Sequence, residues 1–366
     1  MKQFVLVAGV DFEFQGVDFR SLCDNRRKRI VAANTARGEL RFTTLDFRSG
    51  EVVQTDVTYP GGKKVESSKT VAKFDPVGKT GYETVTFPDG SKHTRFKPGQ
   101  FKVMSITDVY AAVRAIGSGP NPGSLAELHF FSHGWMGGPI LVDSDDDRTA
   151  LVPVPGPGGA VSFTRLMLTG MTMRDPDDKD PRAQFDFVAP TMDKPALAEF
   201  RKAFAKDGII WLWGCSFPLV VHRILTAMER SSAYKSTGLG DDVELTLKGL
   251  TGEDVDFLER FLKAHLGPFP KPRTTVKVAF KWLKFWACQA NQSAFAAQIA
   301  AAAGVETRAA PLGTYAEYDT GQLPLMHVFP SFTAHFTFYK NYLGMDFDPE
   351  GRRYGITRPG TTCPVP

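Results

Sequence analysis

Two apolar stretches of the chain end in residue types that can do chemistry. Residues 128–138, LHFFSHGWMGG, stop at a histidine followed by glycine, and residues 208–218, GIIWLWGCSFP, stop at a cysteine preceded by glycine. A histidine held beside a cysteine can act as the general base for a thiol nucleophile. His133 and Cys215 are therefore the candidate catalytic pair, if the fold brings the two ends together.

The surrounding pattern predicts that both stretches are strands of one sheet. Residues 209–213, IIWLW, are continuously apolar and bulky, which is typical of a strand buried on both faces of a parallel sheet. Strands and helices alternate along the core, so the expected fold class is α/β, with a mostly parallel sheet flanked by helices and long loop insertions. The expected strands cover residues 3–10, 39–47, 123–131, 209–213 and 305–310, and the expected helices cover residues 105–117, 195–206, 218–230, 251–267 and 293–304.

The carboxyl edge of such a sheet is where the candidate pair would meet. Ligands of open parallel sheets bind beyond the carboxyl ends of the strands, and both residues follow such an end. Cys215 also precedes a helix that begins near Pro218, and a helix N-terminus or a nearby imidazolium lowers the pKa of a thiol. Gly134 and Gly214 allow a substrate to approach the backbone, and the amides of Gly134 and Cys215 are candidate oxyanion donors.

An apolar strand that ends in His-Gly, followed by one that ends in Gly-Cys or Ala-Cys, resembles the caspase-like (clan CD) cysteine peptidases. The resemblance covers roughly residues 100–235 and implies a caspase-like sheet and an endopeptidase activity. It also implies that His133 is the general base or acid, that Cys215 attacks the scissile carbonyl, and that the Gly134 amide helps to bind the oxyanion. The chain has LWGCSFP where caspases have Gln-Ala-Cys-Arg-Gly, and the loop between its two motifs is longer.

A second cysteine also follows an apolar block. Cys288 comes directly after Ala287, and a small-residue helix and a strand follow it, which fits the same family order. Residues 274–289, however, have apolar side chains at helical spacing with lysines between them, which is typical of an amphipathic helix. Cys215 is therefore the preferred nucleophile and Cys288 the alternative.

Two other functions remain open from the sequence. The segment HGWMGG is similar to the His-Gly oxyanion loop of α/β-hydrolases, which would make the protein a serine esterase with Ser216 as its nucleophile. That family needs a Gly-x-Ser-x-Gly elbow, and WGCSFP lacks the flanking glycine spacing. The other alternative is a non-catalytic binding or scaffold protein that keeps a caspase-like fold.

Candidate substrate-binding residues come from two segments. The acidic segment around Asp175 and Asp178 is interpreted either as a solvated loop or as a pocket wall that selects basic side chains. Residues 310–319, APLGTYAEYD, follow a predicted strand and should reach the same sheet edge. Their candidates are Thr314, Tyr315 and Glu317, with a peptide or protein as the expected substrate.

Length and composition predict one α/β domain over residues 1–366. With 42% hydrophobic residues the chain can bury a large core. We expect the first strands in residues 1–50, a β-hairpin or loop insertion in 51–100, the catalytic core in 101–311 and a C-terminal extension in 312–366. The sequence does not indicate an oligomeric state.

The charge pattern argues against a nucleic-acid partner. The formal net charge is only +4, from 44 basic and 40 acidic residues, and nucleic-acid binding needs basic residues concentrated on one face. The one basic cluster, RRKR at residues 26–29, is interpreted as a solvated surface turn.

The spacing of the cysteines and the first residues of the sequence predict the cellular compartment of the protein. Four cysteines are spread along the chain without a Cys-x-x-Cys pair, so we expect free thiols in a reducing compartment and no metal or other cofactor. The start, MKQFVLVAGVDFEF, lacks the features of a signal peptide, and no apolar run reaches the roughly 18 residues that span a bilayer. We therefore expect a cytoplasmic protein with no membrane partner; export by a signal-independent route stays open.

Overall fold

The computed structural model describes residues 1–11, 17–76, 82–86, 90, 92–96, 103–136, 138–143, 149–155, 161–167 and 192–366. The strands in these ranges are β1 (Lys2–Ala8), β2 (Val10–Asp11), β3 (Leu40–Asp46), β4 (Glu51–Thr58), β5 (Val65–Lys73), β6 (Tyr82–Thr86), β7 (Lys92–Phe96), β8 (Leu125–Phe131), β9 (His133–Trp135), β10 (Gly138–Ile140), β11 (Val142–Asp143), β12 (Thr149–Pro155), β13 (Val161–Met167), β14 (Phe204–Leu212), β15 (Glu244–Lys248), β16 (Thr275–Ala279), β17 (Glu306–Ala309), β18 (Ala316–Tyr318), β19 (Met326–Val328) and β20 (Gly355–Thr357). The helices are α1 (Phe19–Ala33), α2 (Ile106–Gly117), α3 (Lys194–Ala203), α4 (Leu219–Glu229), α5 (Gly252–Leu266), α6 (Phe280–Ser293), α7 (Phe295–Ala303) and α8 (Thr333–Leu343).

Eight strands form the central sheet, in the order β20-β17-β14-β8-β1-β3-β4-β5. The five strands from β17 to β3 are parallel to their neighbours, whereas β20 at one edge and β4 and β5 at the other run antiparallel. The prediction of an α/β fold with a mostly parallel sheet between helices is therefore confirmed.

The apolar runs of the sequence form the inner strands because both faces of the sheet are covered. In β1, Val5 and Val7 pack into the core under α2, α3 and α7, while Phe4 and Leu6 pack into the core under α1. A strand with two covered faces needs apolar side chains at every position, which explains its unbroken apolar run.

Helix boundaries follow the capping residues. The side chain of Ser105 accepts a hydrogen bond at the start of α2, and the Ser105 amide donates one to the Asp108 carboxylate, which is a complete capping box. Thr251 and Asp254 make the same box at the start of α5. Gly304, at a φ of 73°, ends α7 in the left-handed conformation that favours glycine.

The interpretation of residues 26–29 as a solvated turn is wrong, because they lie inside α1. Phe19, Leu22, Cys23 and Arg26 are the buried residues of this helix, at the spacing of one helical face. The Arg26 guanidinium is buried and pairs with Glu127 at 2.7 Å and with a further carboxylate at 2.8 Å. The apolar face is too narrow to stand out among the charged residues of the helix.

The amphipathic helix expected over residues 274–289 is only partly correct. Its first residues form β16, where Val276 and Val278 are buried and pair with β15. The helix itself, α6, begins at Phe280. Alternate apolar residues in 275–279 fit both a strand and a helix, and the strand partner β15 decides between them.

The expectation of four free thiols is also wrong. Cys288 on α6 forms a disulfide with Cys363 near the end of the chain, while Cys23 and Cys215 are free. The pairing joins residues 75 positions apart, and only the fold brings them together. Within the described ranges, every helix is too short or too polar to cross a lipid bilayer.

Candidate active site at the carboxyl edge of the sheet

The two candidate residues follow adjacent parallel strands. Strands β8 and β14 pair directly, with Leu128 opposite Ile210 and Phe130 opposite Leu212. His133 comes just after β8 and Cys215 just after β14, and both line one cavity at the carboxyl edge of the sheet. The two segments therefore meet at the carboxyl edge of the sheet, as their positions after the strands predicted.

Glycines let the two strand-end segments touch. A Cβ on Gly214 would lie 2.6 Å from the Ser132 carbonyl oxygen and 2.9 Å from the Gly134 nitrogen, and a Cβ on Gly134 would lie 2.8 Å from the Cys215 carbonyl oxygen. Contacts this short exclude any larger residue at either position. Gly134 and Cys215 both line the cavity, and a Cβ on Gly134 would lie 3.6 Å from the Cys215 nitrogen.

The imidazole of His133 is held from two sides. Its Nε2 lies 3.4 Å from the Asp11 Oδ2, and the Phe19 ring meets its ring edge-on with 5.3 Å between centroids. The Asp11 side chain is fully buried, whereas 20% of the His133 side chain is exposed. A buried carboxylate beside one ring nitrogen fixes the ring orientation and favours a proton on that nitrogen.

The thiol of Cys215 is oriented by the loop after β17. Its Sγ accepts a hydrogen bond from the Ala316 amide at 3.3 Å. Burial raises the pKa of the Cys215 thiol, and the Ala316 N–H opposes this by favouring the thiolate. The expectation of a lowered pKa is therefore not met, because the loss of solvation outweighs the single hydrogen bond and the helix start nearby.

Comparison of the chain with models of protein families, with curated proteins and with solved structures gives no match.

The predicted substrate residues of the 310–319 segment have different surroundings. Tyr315 is exposed and its ring stacks on Phe329 at a centroid distance of 5.1 Å. Glu317 binds the His327 Nε2 at 2.9 Å and is half-buried. Thr314 is fully buried and its hydroxyl donates to the Pro311 carbonyl at 2.6 Å, so the prediction that its side chain binds substrate is wrong.

Thr314 instead connects its loop to the segment that carries Cys215. The Ser216 amide donates to the Thr314 carbonyl at 3.0 Å, and the Gly313 amide donates to the Ser216 carbonyl at 2.8 Å. Ser216 is buried, and its backbone is fully used in this bridge. The bridge holds the loop beside Cys215, which is how the Ala316 amide reaches the thiol.

The remaining candidate residues are Cys288, Asp175 and Asp178. Cys288 is not available as the alternative nucleophile, because its sulfur is bonded to Cys363. Asp175 and Asp178 lie outside the described residues. Among the described residues, no group of three or more histidine, cysteine or acidic side chains is arranged to hold a metal ion.

Sequence reasoning missed one residue of the site. Asp11 follows the first buried strand, so the strand-end rule that selected His133 and Cys215 would also have selected it.

Proposed function

We propose that the protein is a cysteine hydrolase of caspase-like type, most directly an endopeptidase, with Cys215 as its nucleophile and His133 as its base. The observation that carries the proposal is that these residues follow two adjacent parallel strands and line the same cavity. The resemblance of the His-Gly and Gly-Cys strand ends to the caspase-like peptidases supports the same assignment.

The raised pKa of Cys215 determines the order of events. The resting thiol is neutral near pH 7, so the proton has to leave as the substrate is attacked. Asp11 favours a proton on the Nε2 of His133, which makes Nδ1 the basic ring atom. His133 then takes the thiol proton at Nδ1 while the Cys215 sulfur forms a bond to the amide carbonyl carbon.

The later steps return the site to its starting state. The tetrahedral intermediate collapses, the C–N bond breaks, and the leaving amine takes the proton from His133. Water then attacks the thioester with His133 as its base, and the carboxylic acid leaves as Cys215 regains its proton. The amides of Gly134 and Cys215 would bind the oxyanion in both halves, since backbone donors fixed before reaction cost no reorganisation.

The test is hydrolysis of a broad mixture of unlabelled peptides, with new chain termini read by mass spectrometry. We expect cleavage by the wild type and by the control variant Cys23→Ala, which removes a free thiol on the buried face of α1. Cys215→Ala should lower the rate by at least about 1,000-fold. Undiminished cleavage by Cys215→Ala in a folded protein would overturn the assignment.

One observation favours a second candidate, a non-catalytic binding protein. A buried thiol with a raised pKa is what an inert structural cysteine has. This candidate predicts that none of the three proteins cleaves any peptide and that Cys215 is alkylated no faster than a model thiol. The serine esterase has no such support, because Ser216 is buried.

A further inference from the structure

The cavity beside Cys215 extends away from the candidate pair along the edge of the sheet. The ends of β14 and β17 form one wall, β20 forms the far end, and the junction of α6 and α7 faces them. The side chains along this part of the cavity include those of Leu212, Ala294, Phe295, Leu312, Met345 and Thr357. A group bonded next to the atom that the Cys215 sulfur attacks therefore lies against these walls.

The walls offer no partner to a charged group. Among the described residues that line the cavity there is no lysine, arginine, aspartate or glutamate, and the titratable side chains are those of His133 and Cys215. The Ser132 hydroxyl is engaged within the protein, since it donates to the His133 carbonyl at 2.7 Å. The Asn291 side-chain amide likewise donates to the Ala287 carbonyl at 2.7 Å. A charged group here would lose its water without gaining an opposite charge, which is costly.

The cavity is also small. Its volume is about 30 Å³, and one water molecule needs about 10–15 Å³, so two or three waters would fill it. Phe130 and Phe295 have exposed fractions of 0% and 1% and pack in the core under α2, α3 and α7, so they cannot turn aside. Such a space takes a group of about one to three non-hydrogen atoms.

Met345 closes the end of the cavity that lies at β20. It follows α8 and is half-buried, and its sulfur would lie 2.5 Å from a Cβ on Gly355, so its side chain occupies the space that this glycine leaves. Asn291, Met345 and Thr357 also line a second cavity, of about 110 Å³, beside Cys288. The Met345 side chain is therefore part of the partition between the two spaces.

We propose that this cavity receives the substrate side chain that precedes the scissile bond and selects small, uncharged ones, such as those of alanine, serine and valine. The Cβ of that residue is two bonds from the carbonyl carbon that Cys215 attacks, whereas the Cβ of the following residue is three bonds away. Met345 is the specificity-determining residue, because it sets the length of the cavity. This selectivity rests on the proposed function, and it differs from the selection of basic side chains that the acidic segment around Asp175 and Asp178 suggests.

The first test is the specificity of cleavage. The probe is an equimolar mixture of synthetic peptides in which every residue type occurs at every position, and mass spectrometry gives the relative kcat/KM for each residue that precedes a cut. We expect values after alanine or serine to exceed those after lysine or aspartate by about 100-fold or more, and those after leucine by about tenfold.

Met345→Ala should change the size limit of the cavity and leave the charge limit in place. Without the methionine side chain the cavity opens into its neighbour, so the ratio of cleavage after leucine to cleavage after alanine should rise about tenfold, while cleavage after lysine stays rare. Met192→Ala is the matched control, because Met192 is also a partly buried methionine and does not line the cavity. It should keep the wild-type ratio.

A second test needs no hydrolysis. A methanethiosulfonate reagent forms a disulfide to the Cys215 sulfur as its own sulfur–sulfur bond breaks, methanesulfinate leaves and the thiol proton passes to water. The rates for reagents that carry a methyl, a benzyl or a trimethylammonioethyl group are each divided by the rate with N-acetylcysteine amide. For Cys215 we expect the methyl ratio to exceed the other two by about tenfold or more, and Met345→Ala to raise only the benzyl ratio.

The outcomes separate the cavity from the chemistry. If Cys215-dependent cleavage occurs as readily after leucine or lysine as after alanine, the hydrolase stands and the proposed selectivity is wrong. If no peptide is cleaved but the reagent ratios differ as expected, the hydrolase assignment fails and the selectivity of the cavity stands. Equal reagent ratios in the wild type would overturn the role of the cavity even if Met345→Ala does not fold, and a folded Met345→Ala protein with unchanged ratios would overturn the role of Met345.

Discussion

His129 and His133 belong to the same stretch of chain, one inside β8 and the other just past its end. His129 is fully buried, accepts a hydrogen bond from the Trp213 indole at 2.9 Å and binds Glu127 at 2.7 Å. Its ring stacks among Phe131, Trp211 and Trp213. His133 has one buried carboxylate on one ring nitrogen and faces the cavity that Cys215 lines.

The difference comes from where each residue lies relative to the end of the strand. Inside the sheet, a polar ring is tolerated only when its hydrogen bonds are satisfied, so His129 has partners on both nitrogens and no route to a substrate. Two residues past the end of β8, the ring of His133 lies at the cavity that Cys215 also lines. Position, more than residue type, therefore separates a structural histidine from a candidate catalytic one.

The largest effect should come from His133→Ala. Loss of the base should lower kcat/KM for peptide cleavage by about 100- to 10,000-fold. The free energy of unfolding should fall less than in a His129 variant, because 20% of the His133 side chain is exposed and none of the His129 side chain is. Peptide cleavage and denaturant unfolding of the same sample separate the two quantities. An equal loss of activity and stability would remove the contrast with His129.

His129→Leu should give the opposite result. The change leaves the Trp213 N–H and the Glu127 carboxylate without this partner in the core, so the free energy of unfolding should fall by about 2–4 kcal/mol. Denaturant unfolding measures this loss, and the activity per folded molecule should stay near that of the wild type. A specific loss of activity at unchanged stability would show that His129 also serves the reaction.

Asp11→Asn tests whether the Asp11 carboxylate acts on the His133 ring. An amide in place of the carboxylate no longer favours the proton on Nε2, so kcat/KM should fall by about one to two orders of magnitude at nearly unchanged KM. Steady-state kinetics measure the two constants separately. Asp46→Asn is the matched control, since this carboxylate caps the turn after β3. An unchanged kcat would mean that Asp11 acts only on folding.

The smallest effect concerns the pH dependence of stability. Burial lowers the pKa of the His129 imidazole, so the folded protein holds this ring neutral and the unfolded chain takes up the proton first. This contribution to stability is present above about pH 6.5 and is lost as the pH falls, by at most about 1.4 kcal/mol per pH unit.

The comparison of wild type with His129→Gln isolates this effect. The unfolding free energies of the two proteins should converge as the pH is lowered from 7 to 5. Parallel curves over that range would contradict a neutral buried His129.

The sequence was most informative where one local rule applied. Continuous apolar runs identified β1, β8 and β14, and the strand-end rule found His133 and Cys215. The sequence was less informative about contacts between residues that are far apart along the chain. The narrow apolar face of α1, the pairing of β15 with β16 and the link from Cys288 to Cys363 depend on contacts that no local pattern contains.

The features of the site also differ in how far the local sequence predicts them. The Gly134 and Gly214 contacts could be anticipated, because glycine at a strand end suggests a close approach. The raised pKa of Cys215 could not, because it depends on how deeply the loop after β17 covers the thiol. His222 and His335 are 113 positions apart in the chain, and only the packing of their two helices brings the rings together.

The most direct test of the central claim is the rate at which iodoacetamide alkylates Cys215 at pH 7, read by peptide mass spectrometry in wild type and in His133→Ala. If His133 takes the proton of the thiol, Cys215 should react at least about tenfold faster in the wild type than in the variant, while Cys23 reacts equally slowly in both. Equal rates for Cys215 in two folded proteins would contradict a nucleophile and base acting together, and the two strand ends would then be only structural turns.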